Sequence, residues 1–157
     1  MATKVRFREV QQYRQPWLWA LLSVRPLLAL VGLARGTRSK SEVAREVAAT
    51  VGVGLLVWTA RLTTEVRDDG VYVRFEPFHR EFKRIPFDDI VSFEGAGYSP
   101  LRFGGWGYRW TPSSTVYTVS GRSGVSFERA SGKSLYVGSN RPDELIGAVQ
   151  EATDREL

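Results

Sequence analysis

Two stretches of the chain are apolar over helical lengths, and the remainder alternates between apolar and polar positions. The first stretch, Pro16–Ala34, reads PWLWALLSVRPLLALVGLA and is apolar except for Ser23 and Arg25. At about 1.5 Å of rise per residue it would reach roughly 28 Å, close to the ~30 Å hydrocarbon core of a bilayer. Trp17 and Trp19 stand at its start, where amphipathic rings favour a membrane–water interface. A polar connector, residues 35–42, follows. Ser39 or Ser41 is placed to cap a second helix, with Glu42 in its first turn. That helix is expected over residues 43–60, VAREVAATVGVGLLVWTA. Its uncharged part, residues 47–60, is short for a span. Arg14, Trp17 and Trp19 open the first segment, and Trp58 and Arg61 close the second. In a helical hairpin these five residues belong at one membrane face.

Arg25 stands near the middle of the first segment and is followed by Pro26. An arginine at a helix centre costs about 2.5–3.5 kcal/mol on insertion scales. Three arrangements follow from this pattern. The helix spans; or it lies in the interface with Arg25 snorkelling to the headgroups; or it is a kinked, soluble helix packed on the rest of the protein.

From Arg61 the period shortens to two. Residues 62–66 and 71–75 flank Asp68-Asp69-Gly70, a hairpin signal. Further short strands are expected over 81–85, 90–95, 108–110, 115–119, 125–129 and 134–137, with a short turn at Phe87–Asp89. Residues 95–107 read as a long irregular segment. Asn140 is a plausible N-cap for a closing helix, with Pro142, Asp143 and Glu144 in its first turn. Leu145, Ile146, Val149 and Ala152 form its apolar stripe. The pattern predicts an α+β chain in three parts. Residues 1–15 are a basic cytoplasmic lead-in, and residues 16–60 a hydrophobic helical hairpin. Residues 61–157 are an antiparallel β-sandwich or barrel of about seven strands, capped by a C-terminal helix.

Charge sharpens this picture. Residues 1–60 hold nine Lys/Arg against three Asp/Glu, a net of +6, whereas residues 61–157 hold thirteen against fourteen, a net of −1. The excess positive charge therefore flanks the apolar segments, as juxtamembrane charge facing anionic lipid does. A nucleic-acid binder more often carries it on the folded domain, so no nucleic-acid partner is expected. Arg6, Arg8, Arg14, Arg61 and Arg67 favour both termini, and with them the β domain, on the cytoplasmic side of the cell membrane, against Arg35, Arg38 and Lys40 in the connector. The chain has no cysteine, which excludes disulfides and thiolate metal sites.

The run RLTTEVRDDGVYVRFEPFHREFKRIPFDDI, the motif GGWGYR and the close GKSLYVGSNRPDELIGAVQEA, behind two hydrophobic segments, resemble the pleckstrin-homology-like (PH-like) domains of small prokaryotic membrane proteins. The likeness is to an uncharacterised family with this layout and covers roughly residues 6–152. It implies a membrane-anchored PH-like domain facing the cytoplasm, with no enzyme activity and no assigned ligand. Arg25-Pro26 and Arg45-Glu46 depart from the usual hydrophobic segments of such proteins. Phosphoinositide-binding relatives of the fold usually place basic residues at the first hairpin turn. Here that turn is Asp68-Asp69-Gly70, which repels phosphate.

Little in the chain suggests catalysis. His79 is the single histidine, expected in an exposed loop. Asp68-Asp69 and Asp88-Asp89 are adjacent pairs at turns, and neighbours on an extended chain point opposite ways, which chelates poorly. Gly104, Gly105 and Gly107 do not form a dinucleotide-binding or P-loop pattern. Trp106, Tyr108 and Trp110 alternate and line one face of a strand. Arg80, Lys83 and Arg84 form a basic cluster suited to an anionic surface, with Glu76 and Glu81 nearby. The expectation is therefore a membrane-anchored, non-enzymatic interaction or scaffold module without a cofactor or metal. Its partners are the bilayer and either another membrane protein or further copies of itself. The alternative is a soluble α+β protein whose helical hairpin packs on the sheet or mediates oligomerisation.

Overall fold

The computed structural model describes residues 4–99 and 105–154. The chain forms two compact units. One is Tyr13–Ala60; the other combines Met1–Gln12 with Arg61–Leu157.

The first unit is a pair of helices, α1 (Pro16–Ala34) and α2 (Lys40–Thr59). Pro16 starts α1 where a missing N–H costs nothing. α1 ends by turning Gly36 to φ 71°, with the Gly36 N–H on the Leu33 carbonyl and the Thr37 N–H on the Gly32 carbonyl. This is the hydrogen-bond pattern of a Schellman close. Ser39 then opens α2 with a capping box. Its hydroxyl accepts the Glu42 N–H at 3.3 Å, and the Glu42 carboxylate accepts the Ser39 N–H at 2.7 Å. A stop signal and a start signal three residues apart reverse the chain. Trp19 in the first turn of α1 therefore meets Trp58 in the last turn of α2, with ring centroids 5.8 Å apart. Ala29 is fully buried in this unit, where a small side chain allows close helix packing.

The second unit holds two sheets. The first has the order β1 (Val5–Gln12), β2 (Arg61–Arg67), β3 (Gly70–Glu76) and β4 (Lys83–Pro86), all antiparallel. After the 3-10 turn Phe87–Asp89, the second sheet runs β5 (Ile90–Gly97), β8 (Ser123–Arg129), β9 (Ser134–Gly138), β7 (Ser114–Thr118) and β6 (Gly107–Trp110). Alternation sets the inner faces. Leu62, Val66, Val71, Val73 and Phe75 from the first sheet and Val125, Phe127 and Val137 from the second are at most 2 % exposed. The helix α3 (Pro142–Thr153) buries Leu145, Val149 and Ala152 and packs on β1, β2, β5 and β8. Gly70, at φ 152°, lies so close to the Ile85 carbonyl that a Cβ there has no room.

Four expectations need correction. Residues 1–15 are not merely a lead-in: β1 pairs along β2 from Val5↔Arg67 to Gln12↔Arg61. Its inner face is buried by Phe7, Glu9 and Gln11. The described residues form nine strands, not seven, in two open sheets rather than a closed barrel. The sheets are not wholly antiparallel, because the β8–β9 hairpin enters between β5 and β7 and leaves β9 parallel to β7. The N-cap position of α3 is Arg141 rather than Asn140, whose backbone N–H instead serves the Glu9 carboxylate at 2.9 Å. The segment 95–107 falls partly outside the described residues, which begin again at Gly105.

Candidate membrane-contacting site

In the helical unit the apolar side chains point outward. Leu21, Leu27 and Leu28 of α1 are about 60 % exposed, and Leu55 and Trp58 of α2 are 60 % and 66 % exposed. α1 is, among the described residues, the one helix long and apolar enough to cross a membrane. α2 fails that test because Lys40, Glu42, Arg45 and Glu46 occupy its first half, so the two helices are not two equivalent spans. Almost none of α1 is buried within the protein.

Arg25 is paired across the unit. Its Nε lies 2.7 Å from a Glu46 carboxylate oxygen, so the charge at the middle of α1 meets its opposite on α2. The guanidinium is 80 % exposed and the carboxylate 20 % exposed. Pro26 lies inside a helix that stays continuous. In the turn before it, the Ser23 hydroxyl donates to the Trp19 carbonyl at 2.8 Å.

Of the five residues expected at one membrane face, Trp19 and Trp58 touch, and Trp17 is exposed in the first turn of α1. Gly54 leaves room for the Trp19 ring, one turn before Trp58. Arg14 stands two residues before α1, and Arg61 starts β2. Both are exposed.

In the β unit the basic cluster divides. The Arg84 guanidinium reaches Asp69 at 3.2 Å and is neutralised there. Arg80 and Lys83 have no ion-pair partner among the described residues. The acidic turn is likewise spent internally. Arg6 holds Asp68 at 2.5 Å, and this bond keeps the Asp68 carboxyl below its ordinary range. Asp69 also accepts the Tyr72 hydroxyl at 2.8 Å. On the outer face of the first sheet, Arg67 lies over the Tyr72 ring (4.3 Å) and Arg74 over Phe82 (4.6 Å), so these cations are occupied by rings and by Glu65 and Glu76.

His79 is not a simple exposed loop residue. Its ring sits 5.0 Å from Tyr108 and 5.7 Å from Tyr117, edge-on to both. Partial burial pushes its pKa below the usual value, with Lys83 adding to the effect. The same burial raises Tyr117 to about 12. Among the described residues no carboxylate is bonded to the imidazole, and its Nδ1 is buried without a hydrogen-bond partner. Asp89 is bound to the Arg129 guanidinium, and Trp106 donates to the Gly121 carbonyl at 3.0 Å. Of the glycine motif, Gly104 lies outside the described residues.

An open polar cleft of about 540 Å³ lies along Ser113, Ser114, Glu128, Arg129, Lys133 and Ser134. Arg129 there is already held by Asp89, and the Glu128 carboxylate accepts the Ser92 hydroxyl at 3.0 Å. No group of three or more His, Cys, Asp or Glu among the described residues is arranged to hold a metal ion.

Comparison with known proteins adds one relationship. No curated protein and no solved structure matches the chain. A family of unknown function, DUF6141, matches residues 43–155 of the 157. The match runs from the first turn of α2 to the end of α3, over well more than half of the sequence, and the chain belongs to that family.

Proposed function

We propose that the protein is a membrane-anchored, non-enzymatic interaction module. α1 enters the cell membrane with α2 packed against it, and the β unit serves as a PH-like platform on the cytoplasmic side, with both termini there. The observation that carries this reading is the outward-facing apolar surface of the helical unit. Soluble proteins rarely leave so many leucines open to water without a cover. The Arg25–Glu46 pair supports it, because a charge placed in an apolar medium is tolerated when partnered. Trp17, Trp19 and Trp58 at one end of the pair suit the interface.

A non-catalytic role is favoured by how the polar groups are used. The acids and cations that look free in the sequence mostly bond to each other, and His79 is clasped by tyrosines. Such a module would work by presenting the sheets to another membrane protein or to a further copy of itself.

The test is carbonate extraction of membranes from cells expressing the full chain, with protease protection of each terminus. Retention in the pellet with both termini cytoplasmic is the expected result. Release into the supernatant would refute the anchor, and the helical pair would then be a soluble oligomerisation element.

A further inference from the structure

One end of the first sheet combines features that the anchoring reading does not use. Gln12, Arg61 and Glu76 are register partners there. The chain leaves the sheet at Gln12 to begin the helical unit and returns at Arg61, with only Ala60 between α2 and β2. β3 runs toward the same end and continues into residues 77–82. Phe78 protrudes from this turn and is 63 % exposed, with its inner face stacked on the buried Phe75 at 5.7 Å. The turn is held firmly. The His79 N–H donates to the Phe75 carbonyl at 2.8 Å, and the His79 ring is gripped by Tyr108 and Tyr117.

The charges around Phe78 complete the pattern. Arg61, Arg80 and Lys83 are exposed and have no ion-pair partner among the described residues. Of the nearby acids, Glu76 faces Arg74 at 3.5 Å, which leaves Glu81 as the one opposing charge in the turn. At the far end of the same sheet the situation is reversed, because Arg6 and Arg84 are taken up by Asp68 and Asp69. Among the described residues, three exposed cations without an ion-pair partner thus gather at the tethered end, whereas at the far end the exposed Lys4 lies beside Asp68 and donates its backbone N–H to it.

We propose that this end of the β unit, with Phe78 as the inserted ring and Arg61, Arg80 and Lys83 as the charge contacts, docks on the anionic lipid surface of the membrane that α1 enters. The inference rests on the anchoring reading. Lipid is the occupant that fits best. The short tether keeps this end near any bilayer holding the helices, and an exposed ring between unpaired cations complements a negatively charged interface. Each cation near such a surface favours contact by about fivefold.

The absence of cysteine allows a clean test, since one introduced cysteine carries a single nitroxide label. Full chains bearing Glu81→Cys, Leu28→Cys or Ser131→Cys, with Phe78 and the three cations intact, are reconstituted in vesicles of equal parts phosphatidylcholine and phosphatidylglycerol. Collisions of the label with oxygen and with a water-soluble nickel chelate are then measured. The expected result is a label at 28 in lipid and a label at 131 in water. The label at 81 lies at interfacial depth, with oxygen access raised and nickel access lowered relative to 131. Adding Phe78→Ala, Arg80→Glu or Lys83→Glu to the Glu81→Cys chain, or using phosphatidylcholine alone, should return the label at 81 toward water, by about fivefold or more per reversed charge. If 28 is in lipid while 81 matches 131, docking is refuted and the anchor stands. A label at 81 shielded from both reagents would show a protein contact and overturn the proposal. A label at 28 in water would overturn the anchor and this inference together.

Discussion

The Arg25–Glu46 pair separates a helical unit in lipid from one in water by the size of a single coupling energy. The two groups meet at 2.7 Å. Arg25 lies nine residues beyond Pro16, about 14 Å along α1 at 1.5 Å per residue, so a spanning α1 holds it near the bilayer centre. In water a pair as exposed as this couples by only about 0.2–1 kcal/mol, and added salt weakens it. In lipid, removing one partner strands the other at a cost of about 2.5–3.5 kcal/mol. The perturbation is the cycle Arg25→Leu, Glu46→Leu and the double variant, each in a chain carrying Thr37→Cys in the connector. Labelling Cys introduced at 37 with a membrane-impermeant maleimide, from outside intact cells, reports the inserted fraction. Glu46→Leu alone should lower the ratio of inserted to non-inserted chain by about thirtyfold or more, since ~2 kcal/mol is a factor of about thirty. The double variant should recover at least the starting ratio, because it removes both charges from an apolar medium. A coupling below about 1 kcal/mol that shrinks further with salt would refute the reasoning and place the pair in water.

Three further outcomes follow from the packing. Trp58→Ala removes the edge-to-face contact with Trp19 and should cost about 0.5–1.5 kcal/mol beyond the lost area, read as a lower melting midpoint of the helical signal in detergent. Glu9→Ala leaves the Ser139 hydroxyl and the Asn140 N–H without their shared acceptor, at 2.5 and 2.9 Å. It should destabilise the β unit by about 1–3 kcal/mol in urea titrations, without changing membrane retention. His79 has a folded pKa below the ordinary 6.5, so the fold prefers the neutral ring. Its contribution is therefore complete above pH 6.5 and lost as pH falls through the lowered folded value. His79→Phe should flatten that acid limb of the melting-temperature profile, and an unchanged limb would assign it to other groups.

What the sequence revealed depends on how local the signal was. β2 and β3 were legible because the alternation 62–66 and 71–75 is separated by a turn of two aspartates, and all the information lies within a few residues. The two helices were legible for the same reason, with Glu42 in the first turn of the second and its cap narrowed to Ser39 or Ser41, of which Ser39 holds the position. The pairing of Arg25 with Glu46 was hidden, since the residues lie 21 positions apart and meet only once α1 and α2 run antiparallel. Arg84 looked like a member of the Arg80–Lys83 cluster because it is adjacent in sequence. Neighbours on β4 point to opposite sides, and Arg84 turns to Asp69 instead. His79 was read as a loop residue, which it is by position. Its two tyrosine neighbours come from β6 and β7, and no local pattern announces them.

β1 is the most instructive miss, because it explains the layout of the rest. Its alternation Phe7, Glu9, Gln11 buries two polar side chains, so a hydrophobicity pattern cannot detect it. Those polar groups are satisfied only from the second sheet and its exit. Glu9 takes Ser139 and Asn140, while Gln11 donates to the Gly138 carbonyl at 2.7 Å. Once β1 and β2 are recognised as partners, the helical unit becomes an insertion between two antiparallel strands. Gln12 opposite Arg61 fixes its entry and exit side by side. Two helices of 19 and 20 residues must then go out and return over the same length, which brings Trp19 to Trp58 and Arg25 to Glu46. A single topological fact thus accounts for the paired tryptophans and the paired charges. It also explains why a strand rich in polar residues at the start of the chain is needed to close the fold that follows.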